Sequence, residues 1–153
     1  MKRVLILDII SSLFIILFLY TGVWKLLDQD TFRAALSKLP VIMSYEGLIA
    51  IFIPMLEVLI AVSLLGGMLK DNKIFRKWGL AGSLVLMTIF TLYVGYMLTK
   101  YTHRLPCSCG GIMRQLNWHQ HLYFNTAFTL LALVGLMLNK KMRQSSGNMS
   151  FTA

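Results

Sequence analysis

Cys107 and Cys109 are the only cysteines in the chain, one residue apart in Pro106-Cys107-Ser108-Cys109-Gly110-Gly111. A pair at this spacing can close a small disulfide ring, but a strained one, and strained exposed disulfides are the labile or catalytic kind. A stapling disulfide usually acts by closing a long loop, and this one would close almost nothing. The pattern therefore points to thiol–disulfide cycling. A soft-metal site and a pair of unpaired thiols in an irregular loop are the alternatives. Gly110 and Gly111 let the backbone turn sharply and let a partner come close.

A little further on stands Trp118-His119-Gln120-His121. With the two cysteines it offers two thiolates and two imidazoles, a tetrahedral set for Zn or Cu(I) made of Cys107, Cys109, His119 and His121. If a helix has already begun there, the two histidines lie on different faces. They are otherwise interfacial histidines, or one of them holds a cysteine in its reactive thiolate form.

Glu57 falls in the middle of an apolar run, three residues after Pro54. A charge at bilayer depth costs about 2.5–3.5 kcal/mol, while each Leu, Ile, Phe or Val returns about 0.3–0.6. The stretch 48–65 holds 12 such residues, so it still inserts. Glu57 must then face other helices, either protonated or paired, or donating a hydrogen bond between helices. Lys25 follows the first apolar run and either snorkels to the head groups or points into the mouth of a bundle. Asp8 is expected to pair with nearby basic residues or meet water, and Asn125, one turn after His121, to bond across helices. Glu57, Lys25, Asn125 and His121 would together shape a polar pocket, for a quinone or a proton path.

The elements that must position these residues are membrane helices. Of 153 residues, 57% are hydrophobic and only 14% charged, against about 25% charged in an ordinary soluble domain. The apolar residues form four blocks, at about 4–23, 48–68, 80–98 and 121–138. Each is near the roughly 20 residues needed to cross a bilayer. The sequence thus predicts an all-α integral membrane four-helix bundle over residues 1–143, with a disordered cytoplasmic tail at 144–153. Trp24, Trp78 and Trp118 fall just outside the blocks, where amphipathic rings favour the interface. Between the first two blocks, Phe32, Ala35, Leu36 and Leu39 space out a short amphipathic helix, capped by Asp30 and ended by Pro40. Met1-Lys2-Arg3 before an apolar run resembles a signal peptide, but the run is too long and has no A-x-A site, so it reads as a retained helix.

The net charge of +9 would suggest nucleic acid in a soluble protein. Here the basic residues cluster at block ends, with no basic stripe of interleaved aromatics. Nine of the 15 Lys and Arg lie in the N-terminus, the second loop and the tail. That bias places both termini in the cytoplasm of a bacterial inner membrane and turns the cysteine loop to the periplasm, where disulfides persist. The 10 methionines are scattered through apolar runs as gap-fillers rather than as copper ligands.

Taken together, Lys25, Asp28 and Phe32 after the first helix, Glu57 in the second, Cys107, Cys109 and Gly111, then Trp118 and Asn125 entering the fourth resemble the MauE branch of the MauE/DoxX membrane proteins. The resemblance covers about residues 4–138. Gly110 departs from it, since family members often carry an aromatic there. It implies periplasmic thiol–disulfide chemistry, as in the maturation of the disulfide-rich small subunit of methylamine dehydrogenase during methylamine utilisation. The leading expectation is therefore a membrane protein in which Cys107 and Cys109 exchange with a periplasmic thiol or disulfide protein. Two others stand beside it: a soft-metal binding or transport protein, and a non-catalytic membrane assembly subunit.

Overall fold

The computed structural model describes residues 2–37, 43–100 and 118–149. Among them the regular structure is five α-helices, α1 (Lys2–Leu27), α2 (Gln29–Leu36), α3 (Glu46–Leu69), α4 (Lys73–Lys100) and α5 (Trp118–Met149), with a 3₁₀ turn at Met43–Tyr45. α1, α3, α4 and α5 are each long and apolar enough to cross a bilayer. Among the described residues no strand occurs, and the chain is a multi-pass membrane protein of the expected all-α, four-helix kind.

The spanning helices outrun the apolar blocks. α4 starts at Lys73 rather than near 80, and Trp24, Trp78 and Trp118 lie inside α1, α4 and α5 rather than beyond them. The reason is that a helix need not stop where the hydrocarbon does. Its backbone hydrogen bonds continue through the polar interface, and the sequence supplies no breaker there. α5 likewise runs past 138 to Met149, so 144–149 is helical where composition suggests a disordered tail.

Side-chain and backbone bonds fix the antiparallel registers. On α1 and α3, Thr21 meets Glu57 and Ser12 meets Met68. On α4 and α5, Thr91 meets Thr129, and Asn139 donates to the Lys73 carbonyl. The α3–α4 turn is tight because both helix ends are closed. Asp71 takes a left-handed φ of 45° and the Asn72 N–H reaches back to the Gly67 carbonyl at 3.0 Å, a Schellman-type ending. Asn72 Oδ1 then accepts from the N–H groups of Ile74 and Phe75, capping α4. Close by, Gly67 lies so near α4 that a Cβ would stand 2.6 Å from the Arg76 nitrogen.

The core between the spans is built of Leu7, Phe14 and Phe18 from α1, Leu64 from α3, Leu80 from α4 and Ala132 from α5. Phe14 meets Phe128 edge-on at 5.4 Å, a favoured aromatic geometry. Outward-facing positions such as Ile16, Leu48, Leu59, Leu92, Leu130 and Met137 are exposed and apolar, as a lipid-facing surface must be.

α2 is amphipathic as expected, but differently bounded. The chain turns at Asp28, whose φ of −116° and ψ of 56° break the helix, and α2 begins at Gln29. Asp30 is therefore in the first turn, where a carboxylate suits the helix dipole, and is not the cap. Phe32 and Leu36 are buried with Ala50 of α3 and Met97 of α4. α2 thus covers one end of the bundle. It ends at Leu36, with Ser37 as its cap, short of the expected end at Leu39 and Pro40, which lie outside the described residues.

Candidate functional site

The polar interior of the bundle is assembled from α1, α3 and α5. On α1, Thr21 and Lys25 are four residues apart and share a face. Both are buried, at 7% and 4% exposure. Lys25 does not snorkel. Its Nζ lies 2.5 Å from Glu57 Oε1, and the side chains of the pair are 5% and 1% exposed. Glu57 Oε2 accepts from Thr21 Oγ1 at 3.3 Å, while that hydroxyl also reaches its own helix at Leu17.

Gly22 makes this meeting possible. A Cβ there would stand 3.1 Å from Val58 Cγ2, 3.2 Å from the Pro54 carbonyl and 3.3 Å from Glu57 Cβ. The absence of a side chain lets α1 and α3 approach backbone to backbone, as small residues do in membrane bundles. Pro54, inside α3 one turn before Glu57, is itself buried at this contact.

Aromatic rings close around the ammonium. Lys25 Nζ lies 5.5 Å from the ring centres of both Phe32 on α2 and Phe90 on α4, within cation–π range. The Asp28 turn is what brings Phe32 back over Lys25. The ammonium is thus held by one carboxylate and two ring faces.

His121 and Asn125 enter from α5, at 1% and 5% exposure. With Lys25, Glu57, Thr21 and the aromatic wall of Phe18, Phe90 and Phe124 they line a cavity of about 30 Å³. That is room for a water or two. Neither ring nitrogen of His121 has a hydrogen-bond partner among the described residues.

The structure thus brings Lys25, Glu57, His121 and Asn125 to one place. It separates the histidines, since α5 has begun at Trp118: His119 is exposed while His121 is buried. Residues two apart on a helix point about 200° away from each other. Among the described residues no group of three or more His, Cys, Asp or Glu is gathered as metal ligands. Cys107, Cys109 and Gly111 lie outside the described residues. By the chain path their segment, 101–117, joins the C-terminal end of α4 to the N-terminal end of α5, three residues before His121.

Thr21 and Phe90 line the pocket but had no part in the sequence reading of it. Thr21 carried a signal, being one turn before Lys25. Phe90 carried none, since one aromatic in an apolar run looks like any other. Arg76 also passed unremarked. It is 4% exposed and its guanidinium lies 3.1 Å from Asp8, so Asp8 finds a basic partner, as expected. This second buried charge sits toward the α3–α4 turn, at the opposite end from Lys25.

No curated protein and no solved structure matches the chain. What does match runs from α1, through the Lys25–Glu57 pair and the cysteine segment, into the apolar part of α5: the family model described as methylamine utilisation protein MauE covers residues 3–138, and the chain belongs to that family.

Proposed function

We propose that the protein supports thiol–disulfide exchange at a membrane surface, with Cys107 and Cys109 as the exchanging pair. In the step, a thiolate of a partner dithiol attacks the Cys107–Cys109 disulfide and forms a mixed disulfide. The second partner thiolate then displaces the remaining bond. The partner leaves oxidised and Cys107 and Cys109 are left as thiols. The reverse direction balances equally. What supports this reading is the chain path: both cysteines fall between Lys100, the last residue of α4, and Trp118, the first of α5, and α5 carries His121 of the buried cluster near its start. Membership of a family named for methylamine utilisation supports a partner in that process.

The same reading sets the protein in the bacterial inner membrane with both termini cytoplasmic and the cysteine segment periplasmic. Nine of the 15 basic residues fall toward the α3–α4 turn and the termini.

The test is alkylation in intact cells with a membrane-impermeant maleimide, before and after mild reduction. Labelling that appears only after reduction supports an outward-facing, reducible disulfide. Partner oxidation in cells that is unchanged by Cys107→Ser sinks the exchange reading.

A further inference from the structure

His121 is buried to 1% exposure with neither Nδ1 nor Nε2 bonded among the described residues. Leaving a buried polar group unbonded is destabilising. The ring therefore calls for a partner that these side chains do not provide. The cavity it lines offers space for one. A buried water needs about 10–15 Å³ and two to four polar neighbours. Here the volume is about 30 Å³, with Lys25, Glu57, Thr21 and Asn125 in the wall.

Lys25 has donors to spare. An ammonium carries three N–H bonds, and one is directed to Glu57 Oε1. Ring faces at 5.5 Å attract the charge of the ammonium but accept no full hydrogen bond. Lys25 also interacts electrostatically with His121.

We infer that this cavity binds a water that joins His121 to the Lys25–Glu57 pair in one hydrogen-bonded chain. The water accepts from Lys25 and donates to the unprotonated nitrogen of the His121 ring. Among the described residues, the charged groups facing His121 are Lys25 from α1 and Glu57 from α3. α4 presents Met87 and Phe90, and the α5 neighbours Phe124 and Asn125 are uncharged. The inference rests on the cavity and stands independently of the thiol chemistry proposed above.

The experiment is water-edited solid-state NMR of the full chain, labelled with ¹⁵N-histidine, in lipid bilayers. The His121 signal is assigned by its loss in His121→Phe. The expected result is rapid magnetisation transfer from water to the His121 ring despite its burial. A several-fold drop is expected in Lys25→Met/Glu57→Gln. Asn125→Leu, which keeps both charges, serves as a second variant and is expected to lower the transfer through loss of a polar wall. No transfer in the wild-type protein overturns the site. Unchanged transfer in the folded variants overturns the link between the water and the ion pair.

Discussion

Lys25 and Glu57 meet inside the bundle with Nζ 2.5 Å from Oε1 and almost no exposed surface on either side chain. Neither charge would be tolerated there alone. Removing one partner of a buried pair typically costs about 3–5 kcal/mol, because the other is left uncompensated. Lys25→Met and Glu57→Gln are each expected to lose stability on that scale. The double variant should lose much less than the two losses added. Unfolding of the four proteins in mixed micelles gives the coupling directly, and additive losses would show that the pair is not a unit.

The close passage of α1 over α3 at Gly22 yields a second expectation. An added Cβ meets a backbone carbonyl that cannot step aside, so Gly22→Ala should destabilise by about 1–3 kcal/mol. Gly95→Ala is the control. Nothing lies within 4 Å of a Cβ there, and the change should be neutral or gain up to about 1 kcal/mol of helix propensity. Equal effects of the two would mean that α1 and α3 do not pack through Gly22.

Thr91 and Thr129 share too few protons. Each hydroxyl donates to its own helix, at Met87 and Asn125, and the two oxygens also lie 3.1 Å apart. Two protons cannot serve three contacts at once. The bond across α4 and α5 is therefore expected to be weak, about 0.6 kcal/mol in a Thr→Val double-mutant cycle. A coupling of several kcal/mol would contradict this geometry.

Topology can be read with a single cysteine placed at the α3–α4 turn. In a Cys107→Ser/Cys109→Ser background, Asp71→Cys is expected to react with an impermeant maleimide only after the inner membrane is opened. Residue 71 is exposed at that turn, so burial does not protect it. Labelling in intact cells would invert the proposed orientation.

His119 and His121 should separate in any stability or metal assay. His119 is exposed, so His119→Ala is expected to stay within about 0.5 kcal/mol of wild type. His121→Ala opens a buried site and should cost more. A stoichiometric soft metal lost from both variants alike would restore the four-ligand site.

Much of this architecture follows from hydropathy alone. The bilayer demands about 20 apolar residues per span, and the chain has four such blocks, so the fold class was legible before any contact was known. The burial of Glu57 was legible too, because a carboxylate within an apolar run has no water to face. The family resemblance was likewise carried by the sequence, through Lys25, Glu57, the Cys107–Cys109 pair and Asn125, and the match over residues 3–138 bears it out.

The partner of Glu57 was decided only by the tertiary structure. Lys25 stands near a helix end, where sequence allows it to reach outward or inward with equal ease. The choice depends on how closely α1 approaches α3, which Gly22 sets, and on the turn at Asp28 that lays Phe32 over the ammonium. The cage of Phe32 and Phe90 joins residues from different helices whose types say nothing about one another. His121 and His119 differ in burial because α5 starts at Trp118, a phase that composition does not fix. Hydropathy is a sum over neighbouring residues and so can be read along the chain. Pairing and burial depend on the distance and rotation between helices, which exist only once the bundle has packed.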